Sequence, residues 1–387
     1  MKTINKVWSD KGWMRGLSFI IYHLSFRHIV PLFFTFLLLN CGNTKSSSAN
    51  EAAQQPVGPT FVADSAYLFC EQQCQFGPRT MNSAAHDQCE QWIIQKFQQY
   101  GLTVTTQKAT LKGYDGTPLQ STNIIATYRP EATDRILLCA HWDSRPWADN
   151  DPDSSNHHKP VMAANDGASG VAVMLEIARL LRSEELRVKN EEFPTGIPSA
   201  EGTAAANSSL FTLHSSLGID FVCFDAEDWG MPQWAETAGS DGDTWALGAQ
   251  YWAEQYAQLT STSTSTSTYR YGILLDMVGG EGARFYQEGV SLYYAPKVVR
   301  KVWDAARVAG FGSFFPNDEG HSITDDHLPV NQKAKIPCID IIPYYPDCEA
   351  SSFGPTWHTI NDTMQHIDRH TLQAVGQTLI QVLFSEQ

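Results

Sequence analysis

The chain has 387 residues, of which 42% are hydrophobic and 11% aromatic, a composition typical of a globular protein with a large buried core. Its formal net charge of -15 argues against a nucleic-acid-binding surface, because phosphate binding needs clustered Lys and Arg side chains and the sequence has no such run. The acidic balance chiefly favours solubility.

The first 41 residues differ in composition from the rest of the chain. Basic residues precede an apolar run at 29–39, and Cys41 follows it. This order is typical of a signal peptide, because the run is short for a membrane span. The letters LLNC also resemble a lipoprotein cleavage site with Cys41 as the lipid-bearing residue, although Asn40 departs from the usual small residue. An uncleaved anchor is the alternative. We therefore expect an exported protein, periplasmic or held at a membrane only by its N-terminus.

Eight cysteines do not make a disulfide scaffold in a chain of this length. Cys70, Cys74 and Cys89 lie in one region and could supply one pair, whereas Cys139 and Cys223 lie in apolar runs typical of buried thiols. No Cys-x-x-Cys pair occurs, which disfavours a thiolate zinc site.

Helical and strand-like patterns alternate after a flexible tether at 42–59. Apolar periodicity predicts helices at 65–75, 84–100, 167–181, 244–256, 297–308 and 366–384. Apolar runs predict strands at 103–111, 123–128, 136–140, 221–224, 271–275 and 338–342. The polar segments 182–216 and 260–268 are predicted to be surface insertions. The alternation predicts one α/β domain at 60–387, with a mixed central sheet between helices.

Acidic residues and histidines stand close after several apolar runs. His141, Asp166, Asp228, Asp276 and His358 form an oxygen-and-nitrogen donor set suitable for zinc. In open α/β sheets, ligands bind beyond the carboxyl ends of strands, where most of these residues are expected.

Two neighbouring residues refine this prediction. Adjacent side chains diverge at the end of a strand, so Asp228 can bind a metal while Glu227 transfers protons. Asp143, two residues after His141, adds a carboxylate able to orient that imidazole.

The sequence segments CAHWDSRPW, AANDGASGVAVMLEIARLL, DFVCFDAEDWG, LLDMVGG, DDHLPV and WHTINDT together resemble the zinc aminopeptidase superfamily and, within it, the bacterial glutaminyl cyclases. The resemblance runs from Phe76 to the C-terminus. It implies one catalytic zinc held by Asp166, Asp228 and His358, with His141 as a bystander. In this family such enzymes cyclise the N-terminal Gln of peptides or proteins to pyroglutamate and release ammonia.

The same resemblance implies the roles of the remaining site residues. Glu227 would be the general acid/base, and Asp276 would hydrogen-bond the reacting amide and couple to Asp325. Trp357 and Trp234 would form an aromatic pocket wall, with Trp229 as the alternative to Trp234.

Two other functions are alternatives to the cyclase. In a two-zinc aminopeptidase, Asp166 would bridge two metals and His141 would bind the second one. The aromatic residues and the DDHLP segment favour the cyclase. A binding module without catalysis is disfavoured, because Glu227 and every candidate ligand are present.

Overall fold

A computed structural model describes residues 55–192, 216–235, 244–262 and 268–386. The predicted leader at 1–41, most of the tether and parts of both predicted insertions lie outside the described residues.

A six-stranded sheet organises the described chain. Its strands are β1 (Thr103–Lys112), β2 (Pro118–Tyr128), β3 (Asp134–His141), β4 (Leu217–Phe224), β5 (Thr268–Leu275) and β6 (Cys338–Ile341), in the spatial order β1-β2-β4-β3-β5-β6. The pairs β1–β2 and β2–β4 are antiparallel, whereas β3 pairs in parallel with β4 and β5, and β5 with β6. This confirms the predicted mixed sheet.

Burial follows the position of each strand in the sheet. Every residue of β4 is buried, as expected for a strand covered on both faces, whereas edge strand β1 alternates between half-buried and exposed positions. Side chains of β3 alternate between two cores: Ile136 and Leu138 face one, Leu137 and Cys139 the other. The sheet is therefore sandwiched between helices.

Eight α-helices cover the sheet in the described residues. They are α1 (Ala63–Cys74), α2 (Ala84–Gln99), α3 (Ala168–Glu192), α4 (Leu247–Thr262), α5 (Gly289–Tyr294), α6 (Pro296–Val308), α7 (His327–Gln332) and α8 (Arg369–Phe384). The larger core includes residues of α1, α2, α3, α6 and α8, and the smaller core includes residues of α4 and α7. None of the described helices has the length and apolar content needed to cross a bilayer.

The bounds and number of the elements differ from the sequence prediction in several places. Helix α3 continues to Glu192, so residues 182–192 of the predicted surface insertion belong to a helix. Helix α4 likewise includes residues 260–262. The short helices α5 and α7 were not predicted. In addition, Cys70, Cys74 and Cys89 are free thiols in the structure.

Candidate active site

Three parallel strands deliver acidic and histidine side chains to one edge of the sheet. His141 is the last residue of β3, Asp276 directly follows β5, and the loop after β4 carries Glu227 and Asp228. All four are buried. This is the carboxyl edge, where open α/β sheets bind ligands.

Asp166, Asp228 and His358 form a compact donor set. Their ligand atoms lie within 4.8 Å of one another. His358 Nε2 lies 3.4 Å from Asp228 Oδ1 and 3.7 Å from Asp166 Oδ2. Ligands bound tetrahedrally to zinc at their usual bond lengths are about 3.4 Å apart. The buried Asp228 Oδ2 has no hydrogen-bond partner. This set therefore fits a zinc ion.

Two buried charged side chains contact two of these candidate metal ligands. Asp149 Oδ1 lies 3.3 Å from His358 Nδ1, which orients the imidazole with Nε2 toward the other donors. Arg145 binds both oxygens of Asp149 at 2.7 Å and also donates to Asp228 Oδ1 at 3.2 Å. Together, Asp149 and Arg145 link His358 to Asp228, a link that the sequence analysis did not identify.

The third donor, Asp166, is positioned through its backbone. The carboxylate of Asp362 accepts hydrogen bonds from the N–H groups of Asn165 at 2.8 Å and Asp166 at 3.0 Å. Asp362 lies four residues after His358. The same segment of the chain therefore contributes the candidate metal ligand His358 and the carboxylate that positions a second ligand, Asp166.

Asp143 fixes the loop after β4. Its two carboxylate oxygens accept the N–H groups of Glu227 at 3.0 Å and Asp228 at 3.1 Å. Its distance from His141 Nδ1 is 3.6 Å, longer than a hydrogen bond. The structure therefore gives Asp143 a closer contact with this loop than with the imidazole that we expected it to orient.

Burial shifts the pKa values of the two carboxyls beside the donor set. The pKa of Glu227 is raised well above its usual range by burial, with a further rise from Asp228 and Asp325 that His141 opposes. Burial also raises the pKa of Asp276 to about 7, against the hydrogen bond from His141 and together with the charge of Asp325. Asp276 can therefore exchange protons near neutral pH, and Glu227 keeps its proton to a higher pH than an exposed glutamate does.

His141 contacts two carboxylates directly. Its Nε2 lies 3.0 Å from Asp166 Oδ1 and 3.2 Å from Asp276 Oδ1. Both are hydrogen-bond lengths. The three residues nevertheless form a second group close enough to hold a cation.

A cavity of about 370 Å³ opens over these residues. Its described lining includes Asp166, Glu227, Trp245, Asp276, Met277, His321, Ser322, Ile323, Thr324, Asp325, Ile342, Phe353, Trp357 and His358. The rings of Trp357 and Trp245 lie roughly parallel to that of His358, with centroids 3.7 and 6.0 Å away. The cavity therefore combines a polar floor with flat aromatic walls, a usual form for a small-molecule site.

Trp234 does not line this cavity in the structure. It is 38% exposed and contacts the rings of His157, His158 and Trp147. Trp229 also packs against Trp147, away from the cavity. The cavity wall after β4 is Trp245 instead, which the sequence analysis did not identify because it stands well beyond the carboxylates in the chain.

Comparisons with known proteins find a matching family and similar solved structures. A sequence model of peptidase family M28 matches residues 123–383. The solved glutaminyl cyclase of Bacteroides thetaiotaomicron is 45% identical, with a TM-score of 0.72 over 85% of this chain and 100% of that one. A Zn-dependent exopeptidase from Parabacteroides distasonis is 42% identical, with a TM-score of 0.70 over 85% of this chain and 99% of that one.

A curated relative is more distant. The glutaminyl-peptide cyclotransferase of Gloydius blomhoffii is 24% identical over 66% of this chain. The chain spans 63% of the length of that relative.

Proposed function

The chain belongs to peptidase family M28, and from this membership and the site geometry we propose that it is a glutaminyl cyclase, which converts the N-terminal Gln of peptides to pyroglutamate with release of ammonia. One observation carries the proposal: Glu227 lies in the cavity beside a three-residue donor set without belonging to it. The similarity to bacterial glutaminyl cyclases supports the same substrate.

Asp166, Asp228 and His358 would hold one zinc ion, which when bound polarises the γ-carbonyl of the substrate and stabilises the developing oxyanion. The orphaned Asp228 Oδ2 and the Asp149–His358 contact support this donor set.

Glu227 would move the proton. The α-amine of the peptide attacks its own γ-carbonyl carbon, a C–N bond forms, and the bond to the amide nitrogen breaks. Glu227 accepts a proton from the attacking nitrogen and returns it to the departing nitrogen, which leaves as ammonia. The raised pKa of this buried carboxyl suits both transfers.

Asp276 and the aromatic walls would position the substrate. Asp276 reaches the cavity beside Glu227 and would hydrogen-bond the reacting amide, with Asp325 next to it. Trp245 and Trp357 would enclose the flat amide and limit the access of water. Ring closure is intramolecular, so holding the side chain folded back on its amine removes much of the entropic cost.

A two-zinc aminopeptidase is the alternative, because His141, Asp166 and Asp276 also lie close enough together to hold a cation. The similarity to solved bacterial glutaminyl cyclases favours the cyclase over this alternative.

The test uses the purified protein, a Gln-initiated peptide assayed for ammonia, and an aminoacyl anilide assayed for amine release. For the unmodified protein we expect release of ammonia only and about one zinc per chain. For Glu227→Gln we expect the same zinc content, with turnover reduced at least about 100-fold. Amine release with two zinc ions per chain would instead identify the peptidase. Loss of zinc in Glu227→Gln would mean that Glu227 is a ligand.

We also propose that the protein acts outside the cytoplasm. The basic and apolar order of residues 1–41 supports export. Mass spectrometry of the mature N-terminus tests this: a lipid on Cys41 identifies an anchored form, and an unprocessed cytoplasmic chain contradicts the proposal.

A further inference from the structure

A buried arginine lies directly behind the active-site cavity. Arg145 is 1% exposed and does not belong to the described lining of the cavity, so it does not reach a substrate bound there. Its hydrogen-bond partners and ring contacts are nevertheless residues of the site. Any effect of Arg145 on the reaction therefore acts through these neighbours.

The guanidinium group divides its N–H donors between two buried carboxylates. Nε and one terminal nitrogen each donate to an oxygen of Asp149 at 2.7 Å, the paired geometry in which arginine binds a carboxylate most strongly. The other terminal nitrogen donates to Oδ1 and to the backbone carbonyl of Asp228, both at 3.2 Å. One rigid planar group thus orients the candidate ligand Asp228 and also Asp149, the partner of His358.

The same guanidinium group packs against the aromatic wall of the cavity. Its central carbon lies 4.7 Å from the ring centroid of Trp245, within the range of a cation–π contact. The ring also lies against the backbone of Gly230, where a Cβ would overlap it. The carbonyl of Gly230 in turn accepts a hydrogen bond from Arg145 at 3.4 Å. Arg145 therefore contacts the Trp245 ring and also the backbone on which this ring rests.

We propose that Arg145 is a positioning residue that couples zinc binding to substrate binding. Its N–H groups hold Asp228 and Asp149 at the metal site, and its planar face holds Trp245 at the substrate wall. The part of this inference that concerns the substrate rests on the proposed cyclase function, whereas the part that concerns the metal does not.

Replacing Arg145 with Lys separates its geometry from its charge. Lysine keeps the positive charge but presents one ammonium group in place of a planar set of donors, so it cannot make the paired contact with Asp149 and the contact with Asp228 together. It also lacks the flat face that lies against Trp245.

The experiment measures two quantities in Arg145→Lys. They are the zinc dissociation constant, by competition with a chelator, and KM for a Gln-initiated peptide at saturating zinc. We expect the dissociation constant to rise about 10- to 100-fold, as is usual when a residue that supports metal ligands is changed. We expect KM to rise about 10-fold, the size of one good aromatic contact. Trp245→Ala should raise KM to a similar extent and leave the zinc dissociation constant unchanged.

The matched control is Arg135→Lys. Arg135 is also buried and binds both oxygens of one carboxylate, those of Asp220, at 2.7 and 2.8 Å. It is the second residue of β3, whereas the site lies beyond the last residue of this strand. Arg135→Lys should therefore keep the zinc dissociation constant and the KM of the unmodified protein, even if it lowers stability.

Several outcomes would overturn the inference. If Arg145→Lys matched Arg135→Lys in both quantities, Arg145 would only stabilise the fold. A rise in one quantity alone would contradict the coupling. If Arg145→Lys does not fold, Asp149→Asn tests the metal site with the arginine in place, because an amide oxygen and nitrogen cannot both accept N–H groups. An unchanged zinc dissociation constant in that variant overturns the inference.

Failure of the proposed function would look different. Absence of ammonia from the unmodified protein would overturn the cyclase function and the coupling to substrate binding. The zinc dissociation constants of Arg145→Lys and Arg135→Lys would still decide whether Arg145 positions the metal ligands.

Discussion

Asp143 acts on the site through the backbone of other residues. It is fully buried and gives one carboxylate oxygen to each of the consecutive N–H groups of Glu227 and Asp228. The preceding residue, Ala226, has a φ of 55°, a left-handed conformation that a non-glycine residue rarely adopts. The two hydrogen bonds compensate for this strain. They also fix the backbone from which the Glu227 and Asp228 side chains diverge.

Replacing Asp143 with Asn tests this role. An amide can accept only one of the two N–H groups, because its nitrogen is a donor and would face the other one. We expect kcat to fall roughly 10- to 100-fold, as is usual when a group that positions metal ligands is changed. Steady-state kinetics on a Gln-initiated peptide and zinc analysis measure the effect.

A matched control for that substitution is Asp115→Asn. Asp115 is exposed and also accepts a backbone N–H, from Thr117, within the β1–β2 turn. This variant should keep the kcat of the unmodified protein. If Asp143→Asn were as active as Asp115→Asn, the loop would hold its shape without the paired hydrogen bonds.

Sequence reasoning predicted the polar residues of the site better than its aromatic ones. Glu227 and Asp228 follow a continuous apolar run. Such a run indicates a buried strand and its end, and this signal does not depend on the conformation of the loops. The rings that face the cavity depend on loop paths that periodicity does not describe. Trp245 enters the cavity from just before α4, whereas Trp234, closer in sequence, packs on the outside.

At the scale of elements, helix α3 and the sheet pack with almost no space between them. A Cβ at Gly170 would lie 2.3 Å from the carbonyl oxygen of Leu275 and 2.8 Å from the Cβ of Ala140. Leu275 is the last residue of β5 and precedes Asp276. The absence of a side chain at residue 170 therefore sets the distance between α3 and the strand that delivers Asp276.

Gly170→Ala should destabilise the protein, because backbone atoms of β5 cannot move aside as a flexible side chain can. We expect about 2–3 kcal/mol of lost unfolding free energy, typical of an overpacked core, despite the higher helix propensity of Ala. Urea denaturation measures it.

Ser183→Ala is the corresponding control on α3. Ser183 is exposed, and its hydroxyl bonds back to the carbonyl of Arg179 within the helix. Its loss should change stability by less than about 0.5 kcal/mol. Equal stability of the Gly170→Ala and Ser183→Ala variants would show that the contact between α3 and β5 relaxes freely.

The extension of α3 illustrates why element ends were harder to predict than element types. Residues 182–192 are polar, and their polarity is why the segment 182–216 was predicted to be a surface insertion. Their Glu, Leu, Arg and Lys residues are strong helix formers, and they form ion pairs one turn apart, Arg182 with Glu185 and Arg187 with Glu184. An exposed helical turn needs no apolar stripe, so periodicity could not detect it.

At the scale of the whole molecule, the two ends of the described chain are joined along α8. Gln373, Gln377 and Gln381 recur every four residues on one face of this helix. Their side-chain oxygens accept the N–H groups of Ala63, Phe61 and Val57, respectively. Residues 57–59 of the predicted tether therefore lie against the domain. The sequence analysis did not identify these glutamines, because each one bonds a residue at least 310 positions away in the sequence.

Glu386 makes a second long-range link, just after α8. Its carboxylate accepts hydrogen bonds from Tyr271 at 2.5 Å and Arg270 at 2.8 Å, both on β5, and pairs with Lys301 of α6. Burial alone would raise the pKa of Glu386, but the Lys301 and Tyr271 hydrogen bonds outweigh it and lower the pKa below its usual value. The folded state therefore favours the ionised form of Glu386.

This shift predicts how the stability of the protein depends on pH. Above the unfolded pKa of Glu, about 4.3, the carboxyl is ionised in both states and its stabilising contribution is complete. As pH falls, the unfolded chain takes up the proton first, so the contribution declines through the lowered folded pKa.

Glu386→Gln should cost about 1–2 kcal/mol at pH 7 and less at pH 4. Urea denaturation at both pH values measures the difference, with exposed Glu131→Gln as the control, expected to change stability by less than about 0.5 kcal/mol at either pH. A difference for Glu386→Gln that stayed constant or grew toward pH 4 would contradict the assignment, because only a carboxylate stabilised in its ionised form loses its advantage on acidification.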